Sequence, residues 1–305
     1  MRIGLFALPG PGAGLGQLVR QIEQAETNGL ASAWLANIAG ADALTVLALA
    51  GEKTSRVELG TFVIPTYPRH PAALAQQALT VQSATGNRLA LGIGLSHRVT
   101  MEERLGFDWD HPIRHMREYL STLTPLLRQE AVEFSGEEFR INGYQLTLPG
   151  TTPPPVLVAA LGPQMLKLTG RMADGTAIWM GGARYIAEHA VPTISAAAEA
   201  AGRPAPRIVA GLPICVTDNA DAVRETAARA YERYGELPSY RAILDREGAD
   251  SPADVSLIGT AAEVRAGLQS MADAGVTDFA AAIFTPRGVD PEPTMELLKE
   301  MASSG

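Results

Sequence analysis

Eight short apolar, β-rich runs separated by longer helical patterns constrain this chain more than any other feature. The runs span residues 2–8, 32–37, 57–64, 88–93, 156–160, 176–180, 208–216 and 278–284. Between them lie amphipathic or apolar stretches that predict helices at 16–28, 41–52, 71–85, 112–129, 163–173, 184–201, 220–234 and 261–274. A strand, a helix and the next strand form the repeating unit of a parallel sheet. Eight such units predict an α/β fold closed into a (β/α)8 TIM barrel, which accounts for both the 305-residue length and the right-handed crossovers. An open doubly wound sheet is the alternative that pattern alone leaves standing.

Start and stop signals support the division. Pro71 suits the first turn of a helix, while Asn28-Gly29 and Ala274-Gly275 suit helix ends. Two segments break the alternation. Residues 129–152 contain Asn142-Gly143 within alternating residues and predict a hairpin. Residues 235–258, just before the last predicted helix, are rich in turn-forming and charged residues and predict a loop or short helix over the barrel mouth. With no repeat or interdomain linker, the expectation is one domain, 1–305, with two insertions. The run from Gly10 to Gly16 predicts a flexible loop.

Two strand ends stand out. Residues 88–97, RLALGIGLSH, carry an apolar strand into Gly92, Gly94 and the pair Ser96-His97. Residues 155–163, PVLVAALGP, repeat the arrangement, ending in Gly162-Pro163 where a helix begins. Glycines at such bends admit close approach of backbone to a ligand, and their N–H groups suit phosphate. Together the two ends predict a grip on one anionic cofactor. Neither is a dinucleotide fingerprint, because His97 stands where a third glycine would be required.

The chain has 33 acidic and 25 basic side chains, a formal net charge of −8, and no Lys/Arg run, which argues against nucleic acid or an anionic membrane as partner. Small-molecule substrates are the expected ligands. Cys215 is the single cysteine and lies in an apolar run, so its expected role is packing, in a reducing cytoplasm. The N-terminal residues read as a first strand, with no secretory signal and no membrane span. The histidines and carboxylates lack zinc-ligand spacing, so no metal is expected. Ser96 lacks the closing glycine of a nucleophile elbow, which disfavours hydrolysis.

His97 is the preferred acid/base candidate, because an imidazole titrates near neutrality and this one follows the glycine turn directly. Its alternative role is to order that turn. Asn37, Thr61 and Trp179 fall at strand ends facing the expected mouth; the first two can hydrogen-bond a ligand and Trp179 can wall it. His70 suits a turn or packing role before Pro71. His111, His115 and His189 are expected in a loop or on exposed helix faces, without a function. Arg287, past the last strand, is expected on the solvated surface.

The stretches 29–51, 57–97, 115–120, 153–179 and 196–216 resemble the bacterial luciferase-like superfamily, and within it the actinobacterial oxidoreductases that use the deazaflavin coenzyme F420. The combination of residues 67–71 with 92–97 carries most of the specificity. The resemblance implies a barrel holding F420 at the C-terminal mouth, with contacts from Gly94, Leu95 and Ser96 and from Ala160, Leu161, Gly162 and Pro163. It implies a cis peptide at Phe62–Val63 whose bulge backs the cofactor ring, a place for Tyr119 near the cofactor, and a homodimer. Similar sugar-phosphate dehydrogenases carry Asp-His where this chain has Ala36-Asn37, an acidic residue matching His97 and a lysine matching Ala183, so glucose 6-phosphate is not the expected substrate. The expected function is hydride exchange between F420 and a small organic substrate. The alternatives are an FMN-dependent two-component monooxygenase or a non-catalytic flavin-binding protein of the same fold. A barrel isomerase or aldolase is disfavoured, since no Schiff-base lysine or paired carboxylates stand at the strand ends.

Overall fold

In the computed structural model, which describes residues 1–8 and 14–303, the eight runs form eight parallel strands. They are β1 (Arg2–Ala7), β2 (Ser32–Leu35), β3 (Glu58–Thr61), β4 (Leu89–Gly94), β5 (Val156–Val158), β6 (Gly175–Trp179), β7 (Arg207–Val216) and β8 (Asp278–Ile283). Each pairs with its sequence neighbour, and β8 pairs with β1 through Arg2 opposite Asp278, which closes the ring. The fold is therefore the TIM barrel, and the open sheet is excluded.

The helices start and stop for local reasons. Pro71 opens Pro71–Ala84, and the His70 ring Nδ1 accepts the Ala72 N–H at 3.3 Å, the turn role expected of it. Thr260 and Glu263 form a reciprocal capping box on Ala261–Asp273. Gly29 and Gly275 adopt the positive φ that ends a helix without strain.

The barrel interior is filled in layers from floor to mouth. At the floor Arg207 donates to Asp278 at 2.8 Å and to Glu58 at 2.9 Å, and Arg2 pairs with the same two carboxylates. The Arg207 guanidinium lies 5.9 Å from the Trp34 ring centroid, a cation–π distance. Trp34 is fully buried and hydrogen-bonds Ser32 through its indole N–H at 2.8 Å. A Cβ on Gly60 would stand 2.0 Å from the Trp34 ring, so only glycine leaves room for the indole. Above it Phe62 lies 4.9 Å from Phe6, and Phe6 meets Trp179 edge-on at 5.2 Å. Below the ring, Arg88 donates to the Gly51, Thr54, Thr85 and Val57 carbonyls and to the Thr54 hydroxyl, tying β4 to the helix ends around it.

Several details differ from expectation. The third run breaks after Thr61 and resumes as a two-residue strand at Ile64–Pro65 paired with β4. The hairpin is Val132–Ser135 with Arg140–Tyr144, but its turn lies between those strands and Asn142-Gly143 sits inside the second. The Glu118 carboxylate fixes that turn by accepting the Glu137, Glu138 and Phe139 amides. Residues 184–201 are not one helix: π-helical Ile186–Ala190 interrupts them. The 235–258 segment is mainly helical, at Pro238–Glu247, and follows helix Ala220–Glu236 directly. A final helix, Glu292–Ser303, was not foreseen, so the second insertion precedes the penultimate helix. Of the glycine-rich run, residues 9–13 lie outside the described residues. No helix among the described residues is long and apolar enough to cross a membrane.

Candidate active site

The C-terminal ends of the strands form the mouth, and its most unusual wall is at β3. The peptide bond between Phe62 and Val63 is cis, and the chain bulges there before rejoining β4. Thr61 secures the bulge: its hydroxyl donates to the Gly92 carbonyl at 2.7 Å and accepts the Gly92 N–H at 2.8 Å. A Cβ on Gly92 would lie 2.0 Å from the Thr61 carbonyl oxygen, and one on Gly94 would lie 2.6 Å from Val63 Cγ2 and 3.0 Å from Ala159 Cβ. The expectation that these glycines open backbone to a ligand is corrected. They make room for the bulge, which holds Val63 half-buried at the top of the interior packing.

Beyond Gly94 the chain turns at Ser96, whose φ of +65° lies in the left-handed region. The His97 carbonyl then accepts the Thr100 and Met101 amides, starting the π-helical turn Val99–Arg104. Leu95, Ser96 and His97 are half-buried. β5 runs beside β4, with Ile93 opposite Val158 and the Ala159 N–H donating to Ile93 at 2.8 Å, so the two loops leave the sheet as neighbours.

In the β5 loop Ala160 is fully buried, and the Leu161 carbonyl accepts the Tyr185 hydroxyl at 2.7 Å. Gly162 and Pro163 are exposed. Gly162 is the N-cap of helix Pro163–Met172 with no side chain capping it, and nothing lies within 4 Å of where its Cβ would be. An uncapped helix start beside a neighbouring turn suits an anionic group.

Other expected residues have different roles. Thr61 is fully buried with its hydroxyl engaged by Gly92, so it does not face a ligand. Tyr119 is likewise fully buried, and its hydroxyl donates to the Arg69 carbonyl at 2.9 Å, bracing the loop after the bulge. Asn37 is half-buried and its Oδ1 accepts the Ala43 N–H at 3.0 Å, which leaves its NH2 group as a donor. His115 is not on an exposed face: it is buried, stacked on Tyr67 at 4.0 Å between centroids, with Nε2 3.0 Å from the Thr66 hydroxyl. Trp109 stacks on Tyr67 at 4.9 Å, so His115, Tyr67 and Trp109 clamp the post-bulge loop.

His97 faces aromatic rings carried by the second insertion and the helix before it. Its centroid lies 5.8 Å from Tyr240 and 6.5 Å from Tyr234, and Tyr234 and Tyr231 lie 6.2 and 6.1 Å from Trp179. Burial pushes the His97 pKa below its usual value, and the Arg233 charge adds to the effect, so the imidazole is neutral at pH 7. The tyrosines were missed in the sequence, although three of the seven in the chain fall at 231, 234 and 240.

Buried polar atoms test whether the mouth fits a planar cofactor. The Trp179 indole N–H is buried and has no hydrogen-bond partner among the described residues. It lies near enough to the Tyr234 hydroxyl to influence that phenol, yet misses hydrogen-bond geometry. A rigid apolar wall at Val63 and an open helix start suit a flat ring with an anionic tail, and the free Trp179 donor remains for a ligand oxygen beside that ring.

A closed parallel barrel presents its candidate site at this mouth, the C-terminal ends of its strands. The family model described as luciferase-like monooxygenase matches residues 1–305, and the chain belongs to that family. It is 32% identical over 270 residues to a 5,10-methylenetetrahydromethanopterin reductase of Archaeoglobus fulgidus, covering 86% of this chain and 77% of that protein. It is 35% identical over 161 residues to an F420-dependent hydroxymycolic acid dehydrogenase of Mycobacterium tuberculosis, covering 52% of this chain and 44% of that one. Among solved structures, the coenzyme F420-dependent tetrahydromethanopterin reductase of Methanopyrus kandleri superposes with a TM-score of 0.83 at 22% identity, covering 99% and 98% of the two chains.

Proposed function

We propose that this chain binds coenzyme F420 in the barrel mouth and exchanges hydride with a small organic substrate. The observation that carries this most directly is the juxtaposition of the Val63 bulge after β3 with the uncapped Gly162 helix start after β5, the two flanking the end of β4. The similarity to an F420-dependent dehydrogenase supports the choice of cofactor. When bound, the deazaflavin supplies a carbon centre that takes up or releases hydride, and the protein binds, orients and excludes water.

The residues divide that work. The amides of Leu95 and Ser96 and the helix start after Gly162 hold the anionic tail. Phe62 and Val63 back the ring from the barrel side, and the free NH2 of Asn37 is a donor for an edge or a substrate oxygen. His97, neutral at pH 7, accepts the proton of an alcohol as it is oxidised and returns it in the reverse direction. The test is anaerobic mixing of the protein with reduced and with oxidised F420 and a panel of ketones and alcohols. Cofactor absorbance changes that depend on substrate and need no oxygen support the proposal. Turnover only with reduced FMN and oxygen points instead to a monooxygenase.

A further inference from the structure

The roof of the mouth is chemically one-sided. From helix Ala220–Glu236 and helix Pro238–Glu247 come Tyr231, Tyr234 and Tyr240, with Tyr234 meeting Tyr240 edge-on at 4.9 Å and Tyr231 lying 5.5 Å from Phe284 after β8. Trp179 stands beneath, and its buried N–H lacks a partner among the described residues. The charge acting on His97 and on Tyr234 is that of Arg233, and among the described residues no carboxylate hydrogen-bonds to His97, Tyr231, Tyr234 or Tyr240. Ile38, in the loop after β2, is 68% exposed and adds an apolar side chain at the same end of the barrel.

From this arrangement we infer that the substrate is an uncharged, planar carbonyl compound or its alcohol, its flat body under the tyrosines and its oxygen on the Trp179 N–H. This rests on the mouth being the site of hydride exchange. Trp179 offers a donor and no acceptor, so it recognises an acceptor oxygen. Aromatic walls favour flat, apolar bodies through stacking and burial. A substrate bearing an ammonium group would lose its hydration with no carboxylate to replace it, and a carboxylate-bearing one would bury its charge against apolar rings. Trp179, Tyr234 and Tyr240 are on this account the specificity-determining residues of the site.

The test is equilibrium dialysis of the full chain, with and without F420, against 4-phenyl-3-buten-2-one, its para-carboxylate and para-trimethylammonium analogues, and β-methylstyrene, which lacks the carbonyl. The neutral ketone is expected to bind about tenfold more tightly than either charged analogue. In Trp179→Phe, checked for folding by circular dichroism, the ketone is expected to weaken about fivefold while the hydrocarbon is unchanged. Equal or tighter binding of a charged analogue overturns the inference. So does a Trp179→Phe variant that keeps the full preference for the ketone over the hydrocarbon. Ketone selectivity retained by a protein that does not bind F420 would refute the proposed cofactor and leave this inference standing.

Discussion

His97 and His115 share a residue type and have both been moved to lower pKa by burial, yet their consequences differ. His97 faces the mouth, so its titration is read in turnover. In the alcohol-oxidising direction kcat/KM should rise with pH through a midpoint below the ordinary histidine pKa of about 6.5 and then level off, because the base must be neutral. The reductive direction should fall over the same range. Replacing His97 with Gln should lower kcat about a hundredfold and remove the dependence, as a pH series on both proteins would show. His115 faces the interior, so its titration is read in stability. Burial lowers its pKa to about 4 although Glu138 and Glu118 pull the other way. A histidine depressed on folding binds protons more readily when unfolded, so stability is complete above pH 6.5 and declines as pH falls towards 4. The decline should approach roughly 3 kcal/mol, and urea unfolding of wild type and His115→Gln at pH 7 and 4.5 should show a smaller loss in the variant.

At the scale of elements, β3 and β4 act as one unit through the bulge. Thr61→Val keeps the side-chain shape and deletes both hydrogen bonds to Gly92, leaving the buried Gly92 N–H unpaired; the expected cost is about 1–3 kcal/mol. Gly92→Ala places a methyl against the Thr61 carbonyl, which is rigid backbone. It should displace Val63 and weaken F420 binding by more than tenfold, whereas Gly162→Ala, at an open position, should change it far less; fluorescence titration distinguishes the two. This unit also marks where the sequence was legible and where it was not. The strand and its glycines could be read from residues 57–97, and the cis peptide position came only from the family resemblance. The purpose of Gly92 and Gly94 could not be read, because it depends on which atoms occupy the missing Cβ positions, and those belong to Thr61, Val63 and Ala159, all distant in the chain. The same holds for Thr61 and Tyr119, whose hydroxyls meet backbone far away in the chain. His115 was misplaced for a related cause: a polar residue on an amphipathic helix reads as exposed until a ring stacks on it.

For the whole molecule, the column from Arg207 through Trp34 and Phe62 to Trp179 joins floor to mouth. Arg207→Ala would leave Asp278, whose side chain is 2% exposed, with Arg2 as its one remaining cation beside the Thr277 hydroxyl, and should cost about 3 kcal/mol in chemical denaturation. Closure itself was legible, since eight apolar runs of strand length separated by helices have few other solutions. The roof was less so: residues 235–258 were recognised as lying over the mouth, but the tyrosines that face His97 also come from the helix before them. The hairpin at Val132–Tyr144 and the final helix lie outside the ring of eight strands. The central claim, that the mouth is built for a deazaflavin, is tested most directly by titrating the purified apo-protein with F420 and with FMN and following fluorescence quenching. The account predicts saturable binding of F420 at least about tenfold tighter than FMN; tighter binding of FMN, or no saturable binding of F420, would contradict it.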